Sequence, residues 1–232
     1  MRLKIALPVR LNEAESRYQI SAPLIHALLA LHVTPVLIYP QADIKDQLSG
    51  CDGVLISGGD DVDPLLFNDK PHPNTVIEKA SIEQLDIDCI HYCEKHHLPL
   101  FGLCRGIQIL AVVYHAALYQ DIDQHMKTSH PLIIAPHSFL SGMPLPSVNS
   151  YHHQALAQCP EGFMISAIAD DGTIEAIEKA DMFAVQWHPE LMSDDPLLRF
   201  FTYYVLAKKI NKNQNREQCR IFLDCDKFTR FA

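Results

Sequence analysis

The apolar positions of the chain fall into short runs separated by stretches of helical spacing. "LKIALPV", "VTPVLIYP", "GVLISGG" and "LPLFGLC" are brief and β-suited. Between them apolar residues recur at three and four, so the first half reads as βαβαβαβα, the pattern of a parallel sheet covered by helices. After Asn74, residues Ile82, Leu85, Cys89, Cys93 and His97 trace one apolar helical stripe. From Leu132 to Trp187 the rhythm shortens to "PLIIA", "FMISAIA", "TIEAIE" and "MFAVQW", which predicts antiparallel strands extending the sheet. "DPLLRFFTYYVLAKKI" reads as a closing amphipathic helix, with Lys208 and Lys209 near its negative end. The expected fold class is α/β: one domain over residues 1–210, with a mostly parallel central sheet, flanking helices and antiparallel extension strands. Residues 211–232 are expected to be a C-terminal extension.

One segment changes this picture if read by hydropathy alone. "SAPLIHALLALHVTPVLIYP" carries no charge and approaches the length that spans a bilayer. His26, His32 and the mid-segment Pro35 suit a buried helix followed by a buried strand, so no membrane partner is expected.

With 48% hydrophobic residues, 232 residues suffice for a single substantial core. Nineteen basic residues stand against 28 acidic ones, a formal charge of −9, with no basic cluster to follow a phosphate backbone; nucleic acid is excluded as a partner class. Seven cysteines, odd in number and irregular in spacing, argue against a secreted disulfide framework. "MRLKIALPVR" is too short in its apolar stretch for a signal-peptide core. The expectation is a cytoplasmic chain with reduced thiols and a small-molecule substrate, a homodimer being left open.

The chemistry concentrates at "LPLFGLCRGIQIL". Glycine is scarce, nine in all, yet Gly102 and Gly106 stand two residues either side of Cys104, giving the elbow pattern G-x-nucleophile-x-G. A strand that turns abruptly into a helix needs small neighbours beneath the bend, and the helix N-terminus favours a thiolate. A free cysteine also serves as a small core residue, so the pattern alone leaves both roles open. In "MFAVQWHPE", His188 and Glu190 lie two apart at the end of an apolar strand, which points both to one face. Glu190 can then orient the imidazole while His188 exchanges protons with Cys104; the alternative is a structural strand-end histidine. Gly58 and Gly59 follow a strand, and their N–H groups with that of Arg105 can form an oxyanion hole, or the pair can be an ordinary turn. The Arg105 guanidinium itself is expected on the helix surface.

Taken in order, "SGGDDVDP", "GLCRGIQIL", "LYQDI", "VNSYHHQAL", "DGTIEAIE" and "AVQWHPE" resemble the class I glutamine amidotransferase-like superfamily, over about Leu3 to Ala207. "VNSYHHQA" with "CRGIQ" is similar to its γ-glutamyl-γ-aminobutyrate hydrolase branch. The resemblance implies a flavodoxin-like sheet with Cys104 as nucleophile, His188 as general base and acid, and Glu190 as its orienter. It further implies Gln108 and the Tyr151, His152, His153 turn as walls for a glutamyl head, and hydrolysis of a γ-glutamyl amide without any cofactor. Adjacent His152 and His153 in extended backbone point oppositely, so at most one faces the pocket. Where the family has a Gly-Gly turn before its "LYQD" motif, this chain has His115 and Ala116.

No metal ligands are assigned. Cys89 and Cys93 in "CIHYCEKHH" fall on the apolar stripe, and the "DDVD" run at 60–63 reads as loop capping. Two other functions share these residues: a glutaminase subunit delivering ammonia to a separate synthase, and a non-catalytic binding protein that retains the elbow.

Overall fold

A computed structural model describes residues 2–212, apart from Glu13 and Asp194. The extension expected from residue 211 lies, beyond residue 212, outside the described residues. The first half alternates as expected. β1 (Lys4–Pro8), α1 (Ala22–Ala30), β2 (Thr34–Ile38), α2 (Ile44–Leu48), β3 (Gly53–Ile56), α3 (Ala80–His96), β4 (Leu100–Leu103) and α4 (Arg105–Val113) follow one another. Then come β5 (Met126–His130), β6 (Ile133–Ile134), β7 (Val148–Tyr151), β8 (Met164–Ile168), β9 (Ile174–Lys179), β10 (Met182–Val185) and the closing α5 (Leu197–Lys212).

The central sheet has eight strands in the order β2-β1-β3-β4-β10-β9-β8-β6. The first five pair in parallel, and β9, β8 and β6 extend the sheet by antiparallel pairing. Side chains alternate between two cores. Ala6, Val54, Ile56, Leu100 and Ala184 face α3 and α4; Ile5, Leu7, Leu55, Phe101, Phe183 and Val185 face α1 and α5. Full burial of such side chains contributes about 1.5–3 kcal/mol each, so this two-sided sheet is the frame on which everything else is hung.

Several local expectations change. β2 is an edge strand and only partly buried, which is why Pro35, lacking an N–H, is accommodated there. His97 leaves the apolar stripe: it ends α3 in the left-handed conformation, and Leu98 turns back into the core. Tyr151 belongs to β7, which pairs antiparallel with β5, so what was read as a turn begins as a strand. Lys208 and Lys209 find carboxylates, Asp181 at 2.5 Å and Asp52 at 2.7 Å, before the helix ends. His115 sits at φ 63°, the left-handed region that glycine adopts freely, so this position carries some backbone strain. Among the described residues no helix is long and apolar enough to cross a membrane.

Candidate active site

Three adjacent parallel strands deliver the candidate site residues to the carboxyl edge of the sheet, where α/β folds bind ligands. Gly58 follows β3 by two residues, Cys104 follows β4 by one, and His188 follows β10 by three. β4 and β10 are in register, Leu103 opposite Val185, and the Cys104 N–H donates to the Val185 carbonyl at 2.9 Å. Residues far apart in the chain are thereby set side by side.

Cys104 occupies φ 52°, ψ −107°, a strained conformation for any residue with a side chain. The bend closes because its neighbours are glycines. A Cβ on Gly102 would sit 2.7 Å from the backbone of Gly106, and one on Gly106 would sit 2.6 Å from the Ile56 carbonyl oxygen. Cys104 is 7% exposed. A Cβ placed on Gly58 would lie 2.9 Å from His188 Cε1 and 3.7 Å from Cys104 Cβ, so both reactive side chains abut this glycine.

His188 Nδ1 is 2.8 Å from Glu190 Oε1. The pair is not formed by strand alternation, because β10 ends at Val185; Glu190 sits in a single 3₁₀ turn, Pro189–Leu191, that swings its carboxylate back onto the ring. Burial disfavours the imidazolium, but the hydrogen bond to Glu190 and the nearness of Cys104 outweigh it and hold the His188 pKa well above its ordinary value.

Beneath the elbow lies a network absent from the sequence reading. Arg105 is buried at 1% exposure, not on the helix surface. Its guanidinium pairs with Asp86 and, at 3.2 Å, with Glu83, both on α3. The other Asp86 oxygen takes Arg10 at 3.1 Å, and Arg10 in turn donates to the carbonyls of Ser57 at 2.7 Å and Gly58 at 2.8 Å. One carboxylate therefore ties the glycine turn to the start of α4. Among the described residues the N–H groups of Gly58, Gly59 and Arg105 donate to no protein acceptor.

Two cavities flank the reactive pair. One, of about 240 Å³, is bordered by Gly59, Cys104, Gln108, Tyr151, His152 and His153. The other, of about 350 Å³, is bordered by Arg10, Gln19, Gly58, His188, Glu190 and Leu191. The rings of His152 and His153 diverge. His152 turns its nitrogens to the Gln154 carbonyl and to Glu175, while His153 is held between Asp61 and Asp121 at 3.0–3.1 Å. Gln108 is buried and donates to the Gln154 carbonyl at 3.0 Å. The Tyr151 ring meets that of His188 edge-on.

The segments weighed for metal have other roles. Cys89 and Cys93 pack in the core, Asp63 caps the turn that follows it, and Asp61 accepts from the Val76 N–H at 2.8 Å. Asn149 was not singled out in the sequence reading, although it stands within "VNSYHHQAL"; it binds the His188 backbone on both sides.

Residues 8–190 match the sequence model of the peptidase C26 family. The protein NtpR of Enterococcus hirae is 34% identical over 176 residues, covering 65% of this chain and 73% of that protein. A gamma-glutamyl-CDP-amidate hydrolase of Campylobacter jejuni is 26% identical, covering 68% of this chain and 71% of its own. A glutamine amidotransferase structure from Thermotoga maritima superimposes with a TM-score of 0.62 at 14% identity, over 93% of this chain and 86% of that one. That likeness establishes the class I amidotransferase α/β fold.

Proposed function

The chain belongs to the peptidase C26 family, and on that footing we propose that it hydrolyses the γ-glutamyl amide bond of a small γ-glutamyl-amine through a thioester on Cys104. The observation that carries the reading is that His188, hydrogen-bonded to Glu190, lies against the same glycine, Gly58, as Cys104 at its strained elbow. Thiolate sulfur attacks the γ-carbonyl carbon, and the oxyanion is received by N–H groups of Gly58, Gly59 and Arg105. The tetrahedral intermediate collapses by breaking the C–N bond while the His188 imidazolium gives its proton to the departing amine. His188, now neutral, takes a proton from water, whose oxygen cleaves the thioester to release glutamate and restore the thiolate–imidazolium pair. These steps use side chains, backbone and water alone.

The division of space supports the direction of transfer. The proton donor borders the larger cavity and the sulfur borders the smaller one, which suits an amine leaving on the His188 side and a glutamyl head held on the Cys104 side. Asp60 and Asp61 on the smaller cavity offer carboxylates to the α-ammonium of that head. The Campylobacter jejuni relative, named for hydrolysis of a gamma-glutamyl amidate, supports the same bond class.

The test is amine release from a panel of γ-glutamyl-amines and glutamine, comparing wild type with Cys104→Ala. Cys104-dependent release from a γ-glutamyl-amine is expected. Turnover of glutamine only, and only with an added synthase, would replace this reading with that of a glutaminase subunit. No turnover of any member would leave a binding protein.

A further inference from the structure

His125, His130, His152 and Glu175 converge in the interior at the base of the β5–β7 pair. Each offers one donor atom, and the four atoms lie within 4.8 Å of one another. They come from three separate segments. His125 precedes β5 and His130 ends it, His152 follows β7, and Glu175, fully buried, belongs to β9 of the central sheet.

The hydrogen bonds around this cluster fix what its centre presents. His130 Nδ1 lies 3.1 Å from the Pro131 carbonyl oxygen and His152 Nδ1 lies 2.9 Å from that of Gln154. A carbonyl only accepts, so in each ring Nδ1 carries the hydrogen and a neutral ring leaves Nε2 bare. His125 Nε2 is 3.0 Å from an Asp171 carboxylate oxygen, and its Nδ1 lies 3.2 Å from Ser150 Oγ, which donates its hydrogen to the His125 carbonyl at 2.7 Å. Those inward nitrogens are each 3.5 Å from Glu175 Oε1. The Nε2 atoms of His130 and His152 and both carboxylate oxygens of Glu175 are buried without a hydrogen-bond partner among the described residues. The bare nitrogens of His130 and His152 and the Glu175 carboxylate, acceptors facing one another in a buried site, call for a cation among them.

Two cations are available, a proton shared on the nitrogens or a metal. Charge-assisted N–H···O bonds close to about 2.7–2.9 Å, shorter than what is seen here. A tetrahedron with metal–nitrogen bonds of about 2.0–2.1 Å has edges of about 3.3–3.4 Å; the three nitrogen–oxygen separations of 3.5 Å are near this, and the four atoms, within 4.8 Å of one another, would draw together around an ion. The outer nitrogen of every histidine is also held by a carboxylate or a backbone carbonyl, the arrangement that orients imidazole ligands. We propose that His125, His130, His152 and Glu175 bind one divalent transition metal ion of the zinc type, in a closed structural site separate from Cys104 and His188. Three nitrogen donors and one carboxylate leave no position for substrate, so the ion clamps rather than catalyses. It joins the β5–β7 pair to β9, and β7 carries Asn149 and Tyr151 against His188.

The experiment uses the full chain, purified, stripped with a chelator and dialysed against Zn²⁺. One equivalent is expected to be retained, with a raised Tm and an X-ray absorption edge that fits nitrogen and oxygen neighbours at about 2.0–2.1 Å and no sulfur at about 2.3 Å. Cys104→Ala should keep that equivalent, and His130→Ala and Glu175→Gln should each lose it. Retention of less than a tenth of an equivalent by wild type, sulfur in its shell, or unchanged binding in both cluster variants would overturn the proposal. None of these readouts depends on turnover, so they stand apart from the proposed hydrolase activity.

Discussion

Asn149 holds His188 by both of its backbone polar groups: Oδ1 accepts from the His188 N–H at 2.9 Å and Nδ2 donates to the His188 carbonyl at 2.8 Å. The imidazole therefore takes its position from β7 as well as from β10. Because a misplacement of about 1 Å in a catalytic group can cost about a hundredfold in rate, Asn149→Ala is expected to lower kcat by about ten- to a hundredfold. KM should change little, since Asn149 acts through His188. Steady-state kinetics on the most active γ-glutamyl-amine measure the split; a change confined to KM would place Asn149 on the substrate instead.

Asp86 lies between two buried guanidinium groups, those of Arg10 and Arg105. Removing one partner of a buried ion pair costs about 3–5 kcal/mol, because the remaining charge is left uncompensated. Asp86→Ala is expected to lose about that much in urea unfolding and to lose activity with it, as the Gly58 turn and the start of α4 come loose. An effect under about 1 kcal/mol would mean that solvent already reaches the network.

The elbow tolerates no added carbon. In Gly106→Ala the new methyl would meet the backbone of Ile56, which cannot swing aside as a side-chain tip can. Overpacking of this kind costs about 1–3 kcal/mol. Its larger effect is expected on Cys104, whose alkylation by iodoacetamide at neutral pH should slow at least tenfold; an unchanged rate would contradict the account of the bend.

In the proposed reaction His188 must hold a proton to release the amine. Its folded-state pKa is raised, so the protonated form persists above the ordinary imidazole value of about 6.5 and is lost only as pH climbs through the raised one. The alkaline limb of kcat/KM is therefore expected well above pH ~6.5. Glu190→Gln removes one of the groups that raise it and should bring that limb to lower pH. The stability contributed by the same proton follows the same sign, present in full at low pH and fading on the alkaline side. An alkaline limb that stays in place in Glu190→Gln would assign it to another group.

The parts of the site written in local pattern were legible. Gly102, Cys104 and Gly106 announce a bend through their spacing, and His188 with Glu190 sit within three residues, although a turn unites them where strand alternation was expected. What escaped was what depends on distant partners. Arg105 at the first position of a helix reads as solvated, and its partners Glu83 and Asp86 are about twenty residues away; the signal was there in two acids spaced three apart beside the Ile82–Leu85–Cys89 stripe. β5 is mostly exposed and polar, "MKTSH", so no alternation announces it, and without it Tyr151, the last residue of β7, reads as part of a turn. The three histidines and Glu175 share no motif spacing and meet only when β9 is placed beneath the β5–β7 pair.

The central claim is that sulfur carries the glutamyl group. Rapid acid quenching of wild-type protein with a turned-over γ-glutamyl-amine, followed by peptide mass spectrometry, tests it directly. The account predicts a γ-glutamyl adduct on the peptide bearing Cys104, formed with one equivalent of amine released and absent in Cys104→Ala. Amine release at the wild-type rate from Cys104→Ala, or turnover with the adduct on another residue, would contradict it.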